Sequence, residues 1–334
     1  MNRRLIIIVI ILLLAGGFAA WFWYFKPVEN PNPITQNNNA QPQIISSVAA
    51  ISPVSSHDGN KIWYGTSKGV LKRYELATNQ EIEYAAPKPP GDMVTELIWP
   101  IIGDDLIFST LEGAQTRYQY FNSATQTYTS LPSSIIHLDW LNDGRRILYT
   151  WRTVTGKIQL VMANSDGTGY KKIADVPWDD LVPLASPTDN TAILYRPNAE
   201  GPLNKIYLFD LETGHYTELV NDGWATGAKW TPDGQKVVVS MQEQGISKLY
   251  IYDLATKTKT PTNIVGGVSQ TAVSQDSVWL YAVSAKAIVK YNIQTGEQSV
   301  YHEFPDIVSA KTLLVLGQEV YYLGFDGMIR SVQK

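Results

Sequence analysis

The chain has 334 residues, 44% of them hydrophobic and 17% charged, so most of it can bury a core and little of it has a disordered composition. A net charge of −4, from 27 Lys and Arg against 31 Asp and Glu, with no basic stripe, excludes nucleic acid as a partner. With no cysteine, disulfides, thiolate metal sites, cysteine nucleophiles and a lipidated cysteine are excluded as well.

The first element is a membrane anchor. MNRR precedes 21 uncharged residues, Leu5–Phe25, about 30 Å of helix and enough to cross a bilayer core. Arg3 and Arg4 place the N-terminus in the cytoplasm and the rest outside. Trp21, Trp23 and Tyr24 form an aromatic girdle at the outer interface. Residues 1–25 therefore read as a signal-anchor helix, single-pass in the cell membrane. The competing reading is a cleaved signal peptide, since Gly17-Phe18-Ala19 loosely resembles a cleavage site. Residues 26–44, rich in Pro, Asn and Gln, have linker composition.

From residue 45 to residue 334 the chain repeats. WLNDGRRILY (140–149) and WTPDGQKVVV (230–239) are its clearest copies. VSQDSVWLY (273–281) and SPTDNTAILY (186–195) follow the same plan. Weaker copies are SSHDGNKIWY (55–64), IIGDDLIFS (101–109) and LVLGQEVYYL (314–323). The turn positions Asp58, Asp104, Asp143, Asp189, Asp233, Asp276 and Gln318 recur about every 43 residues. Between them lie second hairpins such as LFDLETGHYTEL (208–219) and KYNIQTGEQSVY (290–301), whose Asn, Asp, Thr and Gly tolerate the backbone that tight turns need. Each unit is four antiparallel strands, a β-propeller blade. The last unit holds only three strands, at roughly 308–315, 319–324 and 327–333. PQIISSV (42–48) supplies the missing outer strand and closes the ring. The fold class is all-β: a seven-bladed β-propeller of four-stranded antiparallel blades, preceded by one transmembrane helix.

WTPDG and WLNDG, with FDLETG and YDLATK downstream, resemble the repeats of TolB-type and related WD-repeat-like bacterial propellers. The resemblance covers about 290 residues and implies a binding scaffold in the cell envelope. Its shared residues shape turns, so no ligand-binding position transfers with it.

Motifs with chemical potential have structural readings. GTSKG (65–69) matches a nucleophile elbow, but that motif works between a strand and a helix, and here it joins two strands of a blade. SDGTG (165–169) holds one acidic residue, too few for calcium, and reads as a turn. The four histidines, His57, His137, His215 and His302, fall in four different blades without metal spacing, so no metal or cofactor is expected. Asp179 and Asp180 point opposite ways in an extended chain. Asp180 with Asp306 is the remaining carboxylate pair for glycoside chemistry.

One face of a propeller carries the loops between blades and those between second and third strands. On it the sequence gathers Trp178, Asp179, Asp180, Trp224 and Phe304, with Arg152 and Arg196 beside them. Aromatics bordered by charge suit docking of another envelope protein or complex, with a glycan as second candidate. A packing role for Trp178 and Trp224 between blades is the alternative. The functional expectation is an extracytoplasmic protein-binding scaffold, catalysis being less favoured. Its alternative is a propeller hydrolase or lyase acting on surface polysaccharide, or a lectin-like binder of it.

Overall fold

Seven separate four-stranded antiparallel sheets follow one another along the chain. The computed structural model describes residues 41–332 apart from 57, 179, 198–203 and 221–222. The predicted anchor at 1–25 and most of the linker lie outside these residues. Among the described residues no helix is long and apolar enough to cross a membrane. Blades 1 to 6 occupy residues 51–84, 93–130, 135–176, 182–220, 224–265 and 271–303. In each, the strands run in sequence order from the innermost to the outermost.

Blade 7 joins the two parts of the chain as expected. Its strands Ala310–Leu316, Glu319–Gly324 and Ile329–Val332 are completed by Gln43–Ile44, with Gln43 opposite Ser331. The closing strand is shorter than the 42–48 expected, because the chain turns off to bind elsewhere. The Ile45 amide donates to the Ile329 carbonyl at 2.9 Å, Ser46 Oγ accepts from the Ile329 amide at 2.9 Å, and the Ala50 amide donates to Gly327 at 2.7 Å.

The repeated motif has a physical role at each position. In WLNDG, Asp143 Oδ1 accepts from the Arg145 and Arg146 amides at 2.9 and 3.0 Å. In WTPDG, Asp233 Oδ1 accepts from Thr231 Oγ1 at 2.6 Å and from the Gln235 amide at 3.1 Å. These carboxylates satisfy turn amides. The second hairpins use the same device: Asn292 Oδ1 accepts from Gln294 and Thr295. The tryptophans reach backwards across the blade boundary. Trp99, Trp140 and Trp230 donate their indole N–H to the innermost strand of the preceding blade, at Ser52, Ile98 and Leu184 respectively, over 2.9–3.0 Å. Strand alternation then aims the residue before Trp forwards. Asp139 Oδ2 accepts from the Ala185 amide at 2.9 Å, and Lys229 Nζ donates to the Thr271 carbonyl at 2.6 Å.

The apolar faces of the strands meet between blades, one buried cluster per boundary. Among the described residues, six clusters hold eight to twelve buried side chains, whereas that between blades 1 and 2 holds six. That boundary is where the packing leaves room.

Candidate functional site

The room is a cleft of about 760 Å³ between blades 1 and 2, opening on the face that carries the D-G and T-G turns. Two departures from the repeat make it. Trp63 in strand Lys61–Gly65 pairs with Arg73 in strand Leu71–Glu75. Blades 3, 4 and 5 put Leu148–Met162, Ile193–Leu208 and Val238–Ile251 at that register. A tryptophan and a guanidinium thus stand where blades 3, 4 and 5 pack aliphatic pairs, an arrangement nearest to blade 6, which sets Tyr281 opposite Lys290 at that register. The second departure is the turn PIIGDD (100–105), which exposes Ile101 and Ile102 at 41% and 53%. Of its two acidic residues, Asp104 lines the cleft, while Asp105 accepts from the Ser123 amide at 2.8 Å and from Tyr120.

The walls are aromatic. Trp63 lies 5.9 Å from Tyr84 edge-on and 6.1 Å from Trp99. Trp99 performs its repeat function through Nε1 and lines the cleft with its ring. Arg73 sits over Trp63, Cζ 5.5 Å from the ring centroid. Its Nε lies 2.8 Å from Glu75 Oε1, an ion pair whose buried N–H lacks hydrogen-bond alignment. Across the mouth, Ser56 Oγ and the Asn60 amide donate to Asp58 Oδ1 and hold its carboxyl below the usual carboxylate range.

The residues expected on the opposite face divide among several boundaries. Trp178 stacks on Tyr207 at 4.9 Å and packs against the cluster between blades 3 and 4. Asp180 lies 2.5 Å from Arg196, and Arg196 in turn acts electrostatically on Tyr207. Trp178 and the Asp180–Arg196 pair thus lie in one neighbourhood around Tyr207. Trp224 opens the first strand of blade 5 and is half-buried. Phe304 is packed at the blade 6–7 boundary, 4.6 Å from His302 and 6.1 Å from Tyr322. Arg152 ends the second strand of blade 3 and is exposed. Asp179 lies outside the described residues.

Asp180 is engaged by Arg196 at the blade 3–4 boundary, while Asp306 lines a shallower groove of about 420 Å³ beside Phe304 and Arg330. GTSKG is a hairpin turn, the Gly69 amide donating to the Thr66 carbonyl at 2.9 Å. SDGTG is also a turn, Asp166 accepting from Thr168. Among the described residues no three His, Asp or Glu side chains come together as metal ligands.

No family model matches the chain. The Tol-Pal system protein TolB of Gluconobacter oxydans is 27% identical over 165 residues, which cover 46% of this chain and 36% of that protein. The chain resembles a TolB-type propeller. It spans little more than a third of that relative's length. Two solved structures share the architecture more fully. An oligogalacturonate lyase in complex with manganese superposes with a TM-score of 0.67 over 90% of this chain and 94% of its own. An oligogalacturonate lyase from Vibrio parahaemolyticus gives 0.63 over 87% and 93%. Both are 12% identical to this chain, a likeness of fold alone.

Proposed function

We propose that the protein is an extracytoplasmic binding scaffold, anchored through residues 5–25, that docks a partner protein of the cell envelope in the blade 1–2 cleft. The observation that carries this reading is the coincidence of two departures from the repeat at one boundary. Elsewhere the carboxylates and tryptophans of the motif are consumed by turns and by links between blades. Here Asp58 and Trp99 keep those roles, while Trp63, Arg73 and the turn at 100–105 add an aromatic cleft with an exposed aliphatic rim, and local rules broken together mark functional surface. The TolB-type resemblance supports a protein partner in the envelope.

The test is crosslinking of the tagged, membrane-held protein, compared with an Ile101→Ser/Ile102→Ser variant of unchanged melting temperature. Loss of a specific captured protein supports docking in the cleft. Capture that persists there and disappears in Trp224→Ala/Arg152→Ala moves the docking to the opposite face. Retention of the full-length protein in membranes after alkaline washing tests the anchor, and a mature N-terminus near Ala20 counts against it.

The fold likeness to two oligogalacturonate lyases favours one second reading, a propeller acting on surface polysaccharide. Release of unsaturated uronate ends from an acidic polysaccharide by the purified protein supports it; unchanged polymer after prolonged incubation rejects it.

A further inference from the structure

Arg73 is a cation at a register where blades 3, 4 and 5 place aliphatic core side chains and blade 6 places Lys290. Its Cζ sits over the Trp63 ring, and its buried Nε approaches Glu75 without an aligned hydrogen bond. Among the described residues no acceptor is recorded for its two terminal nitrogens, which belong to a side chain lining the cleft. A guanidinium carries five donors in a rigid fork suited to a carboxylate. Burying Nε without an aligned acceptor costs stability, while the two terminal nitrogens are not among the buried atoms without a partner and stay open to the cleft. Three other blades avoid the cost with Met162, Leu208 and Ile251 at the matching register.

The rest of the lining says what the carboxylate is attached to. The cleft has no Asn or Gln side chain among its lining residues, and these amides are well suited to reading sugar hydroxyls. Its rim carries Ile101 and Ile102 beside Pro100, with Asp58, Asp104 and Lys61 also lining the cleft, and its walls are Trp63, Trp99 and Tyr84. Aliphatic and aromatic surface around one fork-shaped donor suits an apolar side chain or a proline ring next to an acidic one.

We infer that the blade 1–2 cleft binds an apolar–acidic peptide segment of the partner, its carboxylate forked onto Arg73 and its apolar neighbour between Trp99 and the Ile101–Ile102 rim. This rests on the docking reading above and specifies its ligand. Binding is selective for Glu or Asp over Gln or Asn, and it weakens as salt rises because the fork is charge-assisted.

The experiment titrates the full chain with short synthetic peptides that alternate Leu or Pro with Glu, and with counterparts carrying Gln at every Glu. Tryptophan fluorescence reports the cleft. The Glu peptides are expected to bind about tenfold or more tightly than the Gln peptides. Arg73→Met should bind both sets alike, and Arg73→Lys should keep part of the preference. A parent-like far-UV circular dichroism spectrum and a cooperative melt show that Arg73→Met is folded, even if stranding Glu75 lowers its melting temperature. Equal affinity for the two sets in the parent, or an undiminished preference in Arg73→Met, overturns the carboxylate assignment while leaving a docking cleft. Absence of binding by either set overturns the assignment too. If partner capture also survives Ile101→Ser/Ile102→Ser, the docking reading falls separately.

Discussion

Arg73 illustrates how one side chain can be set against its own scaffold. Replacing a partly buried ion pair with an apolar side chain that fills its space is often neutral or stabilising. The matching blades provide the substitute, Met162 opposite Leu148. Changing Arg73 alone would strand Glu75, whose side chain is 19% exposed. We therefore expect Arg73→Met/Glu75→Gln to unfold at the same free energy as the parent or about 1 kcal/mol above it. Urea denaturation measures this, and a loss of more than about 2 kcal/mol would mean that the pair is structural. Gly144 makes a second residue-scale case. It has φ +62°, and a Cβ there would meet the Ile102 carbonyl oxygen at 2.0 Å. Gly59, at the equivalent turn of blade 1, has φ +67° with nothing within 4 Å. Alanine at 59 should cost about 1 kcal/mol of backbone strain. Alanine at 144 should cost clearly more, about 2–3 kcal/mol, because it must also move the turn that carries the cleft rim. Equal losses would show that this turn yields freely.

At the scale of elements, the segment after the closing strand is latched to blade 1 by a single carboxylate. Glu81, in strand Gln80–Tyr84, accepts from the Ser47 amide at 2.7 Å, from Ser47 Oγ and Lys72 Nζ at 2.5 Å each, and from the Tyr64 hydroxyl. Burial pushes this carboxyl up, but the bonds from Lys72, Ser47 and Tyr64 together outweigh it and hold it at about 2. Because the folded value lies below the ordinary glutamate value of 4.5, the latch contributes fully above that value. Its contribution is lost as pH falls from there towards 2. Glu81→Gln should cost on the order of 1–2 kcal/mol at neutral pH once solvent screening is allowed for, with the difference closing in acid. Parallel thermal melts across that range check it, and a difference independent of pH would assign the loss to packing. Asp139 has the opposite sign. Burial raises it to about 6 despite bonds from Ala185 and Trp140. The folded chain therefore binds its proton more readily than the unfolded one, and stability declines as pH rises from about 4 to 6. The Asp139 carboxyl resonance should titrate near 6, and a midpoint below 4 would refute this.

The whole ring was legible in the sequence because D-G and T-G turns need particular side chains, and those side chains recur. Asp143, Asp233 and Asn292 each satisfy turn amides, so their period marks the blades. Closure by residues near 43 followed from a last unit one strand short. The cleft was not legible, because it consists of exceptions. Arg73 alternates properly within its strand, and only its register against Met162, Leu208 and Ile251 shows it to be out of place. Trp178 failed to separate from an exposed residue for the opposite reason: stacking on Tyr207 depends on a partner some 30 residues away, which no local pattern reports. The anchor and the linker up to residue 40 lie outside the described residues, and the ring begins within the last residues of the expected 26–44 linker, at Gln43–Ile44. That junction makes closure the point at which the tether can act on the fold. Gln43–Ile44, Ile45 and Ser46 satisfy the outer edge of strand Ile329–Val332. Without them that edge offers unpaired backbone groups to another chain. A protein lacking residues 1–47 should therefore self-associate in a concentration-dependent way and melt at lower temperature, whereas one lacking residues 1–40 should stay monomeric. Sedimentation velocity distinguishes them. Monomers in both cases would mean that three strands suffice for blade 7, and that pulling on the N-terminal segment leaves the ring unaffected.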